Sequence, residues 1–253
     1  MKLRLFVFGI AAVAATSCSE LQQVANQMIT NSSIGTPTNE NASGLKEALS
    51  VGIANAVTSL NKPNGYLGNQ ALKILLPDDA KMLVDNIKYV PGGDKMLNEV
   101  VLRLNRAAED AAVEAKPIFV SAIRNMTISD ATGILFGNKN AATTYLRQHT
   151  YNQLTSAFQP KIATSLDKKL VGNISTTQSW STLTTAYNKV ATSFVGQAAN
   201  LKPVNSNLAG YVTERALDGM FLSLANEEKK IRENPAARVN SLLKKVFGQL
   251  DKK

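Results

Sequence analysis

Two acids four residues apart, Glu214 and Asp218, form the spacing in this chain that comes closest to a reaction. On a helix that interval puts both carboxyls on one face. Two carboxyls roughly 5–9 Å apart could act as acid and base across a glycosidic bond. Glu109, followed by Asp110, offers a second acidic site. Ion pairing is the alternative for acids in these stretches. Arg215 precedes Asp218 by three residues, Arg106 precedes Asp110 by four, and Glu99 precedes Arg103 by four. These are intervals at which opposite charges meet on a helix. Ion pairing is the simpler reading, so Glu109, Glu214 and Asp218 are catalytic candidates only under the alternative of an envelope hydrolase.

Other chemistry lacks its parts. His149 is the single histidine and Cys18 the single cysteine, which rules out a zinc site built from several nitrogen and sulfur ligands. The calcium-loop pattern D-x-[DN]-x-[DN]-G is absent, as are G-x-S-x-G, the P-loop and G-x-G-x-x-G. No metal and no cofactor is expected. His149 falls in a helical stretch between Arg147 and Tyr151 and reads as structural or exposed.

Cys18 has a more definite chemistry. Lys2 and Arg4 precede an apolar run from Leu5 to Ala15, too short to span a bilayer, which needs ~20 apolar residues. The pattern fits a secretory signal. Ala15-Thr16-Ser17-Cys18 then resembles the lipobox of bacterial lipoproteins, in which the cysteine thiol receives diacylglycerol and cleavage falls just before it. Ordinary signal-peptidase cleavage after Ser17 is the alternative, since Ala15-x-Ser17 is also small-x-small. A lone thiol placed at the end of the apolar run favours lipidation, because it has no internal disulfide partner. In many lipoproteins an aspartate after the cysteine retains the chain at the inner membrane. Here Ser19 follows, which implies the outer membrane, with the leaflet open.

The elements that would position these residues are helical. The 253 residues are 44% hydrophobic and only 6% aromatic, a globular profile that suits helix packing. Residues 30–44, TNSSIGTPTNENASG, read as a flexible tether. Leu45, Leu49, Ile53, Val57 and Leu60 then recur at helical spacing, ending before Lys62-Pro63-Asn64-Gly65. After Gly92-Gly93 a stripe runs from Met96 through Leu104, Ala107, Ala108 and Ala111 to Ala115, with Asn105, Arg106, Glu109 and Asp110 largely outside it. Its alanine half would let another helix approach closely. Thr127-x-x-Asp130 reads as a capping box.

Asn140–Phe158 is helical, and Pro160–Val171 extends it beyond a kink. Trp180, Leu183, Tyr187, Val190 and Ala191 mark another helix, Asn207–Glu233 a long one, and Pro235 the start of the last. Lys73–Leu76 and Pro117–Val120 are short apolar runs that read as extended connections or buried helix, and no strand is expected.

Several of these blocks taken together resemble an uncharacterised bacterial family, domain of unknown function 4197. They are Leu104-Asn-Arg-Ala-Ala-Glu109, Ala115-Lys-Pro-Ile-Phe119, Met126-Thr-Ile-Ser-Asp130, Ala141-Ala-Thr-Thr-Tyr145, Val212-Thr-Glu-Arg-Ala-Leu-Asp-Gly-Met-Phe221, Glu227–Arg238 and Leu242–Gly248. The likeness runs from about Leu45 to Gly248. It implies an exported helical protein and, because the family has no established activity, assigns no functional residue.

The net charge is +9, or +7 once Lys2 and Arg4 are removed with the signal. The lysines come in scattered pairs, which suits a solvated surface, and export argues against nucleic acid. Val239 to Phe247, beside Lys244 and Lys245, suits either an interfacial helix or core packing, with packing favoured.

The expected architecture is an all-α, single multi-helix bundle-like domain over 45–253, behind a signal peptide (1–17) and a lipidated tether (18–44). The expected function is a lipid-anchored bacterial envelope protein, a non-enzymatic binding or structural module. A lipid or apolar-ligand carrier, with Met220 and Phe221 lining a cavity, is the first alternative and the hydrolase the second. The expected partners are a membrane through Cys18, and an envelope protein or an apolar or anionic ligand.

Overall fold

The computed structural model describes residues 37–87, 93–171 and 174–252. The signal peptide, Cys18 and the tether as far as residue 36 lie outside the described residues. Leu45, Leu49, Ile53, Val57 and Leu60 form the buried stripe of α1 (Pro37–Leu60). This helix starts at Pro37 rather than at Leu45, so residues 37–44 are part of the bundle and not of a tether. Their composition favours turns, but Pro37 suits a first helical position and Glu40 the positive end of the dipole. Packing then decides. Ala42 is buried, and a Cβ on Gly44 would lie 2.5 Å from Val246 Cγ2, so only glycine lets the C-terminal helix seat there.

After a loop and a 3-10 turn at Asp78–Ala80 come α2 (Lys81–Ile87) and α3 (Gly93–Ala111). A second 3-10 turn at Ala112–Glu114 carries the alanine stripe into α4 (Ala115–Asn125). The short helix α5 (Ile128–Leu135) opens on the expected capping box, with Thr127 and Asp130 bonding each other's backbone N–H. The helix α6 (Ala141–Leu166) runs through the exposed Pro160 and buries Leu146, Thr150, Leu154, Phe158, Ile162 and Leu166 at every fourth position.

A two-stranded antiparallel hairpin, β1 (Lys169–Val171) and β2 (Ile174–Ser175), follows where no strand was expected. It is too small to change the all-α class. Then come α7 (Thr176–Ala191), α8 (Phe194–Ala198), α9 (Leu208–Glu233) and α10 (Ser241–Phe247). The last helix starts at Ser241, capped by Asn240, because Pro235 opens only a 3-10 turn. Lys73–Leu76 is extended, whereas Pro117–Val120 lies inside α4.

The central pair is α6 and α9. The alanine face of α3 packs on α6, and α1 lies on α9 with α4, α5 and α10 around it. One continuous apolar core joins Leu45, Leu104, Phe158, Leu217 and Phe247, so the body is a single domain. Leu243, Val246 and Phe247 are buried in that core, which settles α10 as a packed helix. Among the described residues no helix is long and apolar enough to cross a membrane.

Candidate functional site

The three carboxylates singled out by spacing occupy two different settings. Glu109 faces inward from α3, contrary to the pattern that left it with Asn105 outside the buried stripe. Its Oε1 accepts the backbone N–H groups of Tyr66 (3.1 Å) and Leu67 (3.3 Å), and its Oε2 receives Arg106 Nη1. Arg106 Nη2 also donates to Asn64 Oδ1 (3.0 Å), and Asn64 holds a φ of 68°. Arg106 therefore pairs with Glu109 rather than with Asp110.

The turn held in this way presents Tyr66, whose hydroxyl donates to the Ala216 carbonyl at 2.8 Å. Burial pushes that hydroxyl far above its ordinary range, with the nearby Glu109 charge adding to the effect. The ring lies against Gly219, where a Cβ would come within 2.9 Å of Tyr66 Cε1. One turn earlier on α3, Asn105 accepts from the N–H of Ile74 (2.9 Å) and donates to its carbonyl (2.8 Å), as a neighbouring strand would. The two polar side chains fasten the whole 61–74 connection. Two amides and a guanidinium occupy three of the roughly four acceptor positions of this buried carboxylate, which ties it to the turn.

Glu214 and Asp218 lie on the outer face of α9. Asp218 Oδ1 accepts from Arg147 Nη2 at 2.7 Å, and Arg215 stands 3.7 Å from its Oδ2. The Arg147 guanidinium lies 5.1 Å from the ring centres of both Tyr151 and Phe221. Glu214 is exposed one turn before Asp218. Partial burial raises the Tyr151 hydroxyl, and the Asp218 and Glu214 charges reinforce it. The expected Glu99–Arg103 pair is present at 2.9 Å. His149 is exposed, stacked on Tyr145 at 4.0 Å, with Nδ1 2.8 Å from the Tyr145 carbonyl.

A third polar cluster, at the end of α9, was not foreseen as a site. Asn140 stands at the N-cap of α6 but makes no capping bond of its own. Glu228 supplies the cap from α9: its carboxylate accepts the N–H of Ala142 (3.0 Å), the N–H of Thr143 (2.8 Å) and the Thr143 hydroxyl (2.8 Å). Arg232, one turn on, donates Nε to Glu228 Oε1 at 2.9 Å. Its Nη1 and Nη2 reach the Leu135 and Ile134 carbonyls at 3.0 and 2.8 Å, where α5 ends. One buried ion pair thus puts an anion at the start of α6 and a cation at the end of α5, each complementing a helix dipole. Arg238 repeats the device on α9 itself, donating to the Ile231 and Arg232 carbonyls and, bidentately, to Asp251.

Beside this clasp, Leu45, Leu49, Ile53, Leu146, Leu224 and Phe247 line an apolar pocket whose cavity is about 20 Å³. That is room for about one water, against several hundred Å³ in ligand pockets. Met220 and Phe221, the expected lining of a carrier cavity, are buried. Phe221 packs edge-on against Phe119 at 5.9 Å.

The sequence model of a family described as a protein of unknown function, DUF4197, matches residues 35–248. The chain belongs to that family. No curated protein and no solved structure matches it. The blocks that carry the DUF4197 resemblance prove to be the ones that fix the bundle. Leu104–Glu109 holds the 61–74 connection, Met126–Asp130 caps α5, and Glu227–Arg238 contains the clasp. Val212–Phe221 supplies Gly219 and the Ala216 carbonyl to Tyr66. Cys18 lies outside both the described residues and the matched span. Among the described residues of this DUF4197 protein, no group of three or more His, Cys, Asp or Glu is placed to hold a metal ion.

Sequence reasoning did not single out Glu228 and Arg232. A signal was present. Glu228 falls at i+4 from Leu224 and three before Ile231, on the apolar line of its own helix. A lone acid on such a line is buried with a partner or not at all.

Proposed function

We propose that this DUF4197 protein is a lipid-anchored, non-enzymatic module of the bacterial envelope, tethered through Cys18 and acting by surface contact. The observation that carries the non-enzymatic part is the fate of its acids. Glu109 is consumed by a turn and an arginine, and Asp218 by two arginines, one of them at 2.7 Å. An acid–base pair needs two carboxyls facing one substrate, and here two of the three candidates are engaged by arginines, leaving Glu214 exposed beside an ion-paired Asp218. The 20 Å³ cavity speaks against the carrier alternative in the same way, because it would not admit an acyl chain.

The anchor rests on Ala15-Thr16-Ser17-Cys18, and the outer-membrane destination on Ser19. Several acyl chains at ~0.8 kcal/mol per buried CH₂ would hold the body to a bilayer without any transmembrane helix. The test is the mass of the N-terminal peptide of the protein purified from the membrane fraction of its own host. A diacylglyceryl-modified Cys18 at the new N-terminus, absent from Cys18→Ser, is expected. An unmodified Cys18 after cleavage at Ser17 would remove the anchor and leave a secreted module.

A further inference from the structure

The corner between α7 and α8 turns apolar side chains into solvent. Phe194 is 88% exposed, Val195 73% and Val190, one of the apolar residues that mark its helix, 54%. Single exposed apolar residues are ordinary. These three fall within six positions, and the backbone that presents them is closely fixed. The Ser193 hydroxyl donates to the Val190 carbonyl (2.7 Å) and accepts the Gly196 N–H (3.2 Å), and Gln197 Nε2 donates to the Thr192 carbonyl (2.9 Å). A Cβ on the buried Gly196 would lie 2.0 Å from the Val190 carbonyl oxygen, so the chain doubles back where only glycine fits. Asn200 takes a left-handed φ of 56°, and the Leu201 N–H returns to the Gly196 carbonyl at 2.9 Å. Behind the corner, the Asn188 amide pairs with both backbone groups of Val204.

Charge identifies the occupant. From Lys168 to Thr213 the chain carries four lysines and neither Asp nor Glu. Lys189 and Lys202, both exposed, flank the apolar tip, and neither is in an ion pair among the described residues. A second copy of the chain would set these lysines against their own counterparts. A bilayer with anionic headgroups satisfies both features together, because aromatic and aliphatic tips enter the interface while lysines hold the headgroup level.

We propose that the α7–α8 corner is a membrane-contact site, with Phe194 and Val195 entering the headgroup–acyl boundary of an anionic leaflet and Lys189 and Lys202 meeting its headgroups. The site needs no acyl chain on Cys18, so it goes beyond the anchor reading and does not depend on it.

The test uses the chain from residue 18 onward with Cys18→Ser, which carries no lipid and keeps every described residue. Co-sedimentation with vesicles containing phosphatidylglycerol should exceed that with phosphatidylcholine vesicles. Phe194→Ser should lower the partition coefficient by about tenfold, the effect of withdrawing one aromatic side chain from burial. Lys189→Ala with Lys202→Ala should lower it by about tenfold at low salt, and added salt should reproduce that loss. No sedimentation of the folded protein overturns the proposal, as does equal partitioning of Phe194→Ser. Self-association without lipid that Phe194→Ser abolishes would also overturn it, by assigning the corner to a second copy of the chain. The N-terminal mass at Cys18 reads the anchor separately, so the two ideas fail independently.

Discussion

The end of α9 and the corner between α7 and α8 are built on opposite plans. At the end of α9 three charged side chains are buried and each has an internal use: Glu228 starts α6, Arg232 ends α5, and Arg238 ends α9. At the corner the backbone is equally well satisfied, but the side chains it presents, Phe194 and Val195, are left in water. In the first region the side chains serve the fold. In the second the fold serves the side chains. Residues able to bind something outside the chain belong to the second kind, and Glu109, Glu228, Arg232 and Arg238 are poor guides to it because the bundle has already engaged them.

Arg232 gives the largest effect with which to break this comparison. Removing it strands the Glu228 carboxylate in a buried place and frees two carbonyls at the end of α5. Arg232→Ala should therefore cost about 3–5 kcal/mol, read by urea unfolding followed through Trp180 fluorescence. Glu228→Gln combined with Arg232→Met should cost clearly less than the two single losses added, because the second change removes a charge already orphaned. Strict additivity would mean that the two side chains act separately, and the clasp would not be a unit.

A smaller effect comes from the exposed side of the same region. The hydrogen bond from Arg238 holds the Asp251 carboxyl below its ordinary value of about 3.9, against a partly opposing desolvation. A depressed carboxylate contributes stability that is fully present above the unfolded value and is lost as pH falls through the folded one. Asp251→Asn should therefore lower the melting temperature by a constant amount near neutrality, with the gap closing only below about pH 4. A gap unchanged at lower pH would show that Arg238 is held by the carbonyls of Ile231 and Arg232 alone.

Much of the local chemistry that depends on neighbours along one helix was legible in the sequence. The alanine stripe of α3, the Thr127–Asp130 capping box and the Glu99–Arg103 pair are all read from intervals of three or four residues. What was not legible depends on partners far along the chain. Glu109 pairs with a turn more than forty residues earlier, and Glu228 with a helix start more than eighty residues earlier. Glu109 was therefore read as a catalytic or ion-pairing candidate, and Glu228 was not singled out. The start of α1 failed for a related reason: PTNENASG has weak helix propensity by itself, but Val246 needs Gly44 and the core needs Ala42, so tertiary contact overrides propensity. The corner was hidden because Val190 and Ala191 are adjacent apolar residues at the end of α7, and the buried line through Trp180 continues to Ala191 while Val190 turns out.

The smallest predicted effect is the sharpest test of the contrast. Phe194 is almost fully solvated, so Phe194→Ser should change unfolding free energy by no more than ~0.5 kcal/mol in the absence of membranes. Two positions on, Gly196→Ala should cost several times that, because its Cβ would collide with the Val190 carbonyl. The ordering inverts the usual expectation, in which losing a phenyl ring matters more than gaining a methyl group. It follows directly from a backbone fixed for the sake of what it displays. Comparable losses at the two positions would place Phe194 in a packed contact, and the corner would then be one more piece of the bundle's own structure.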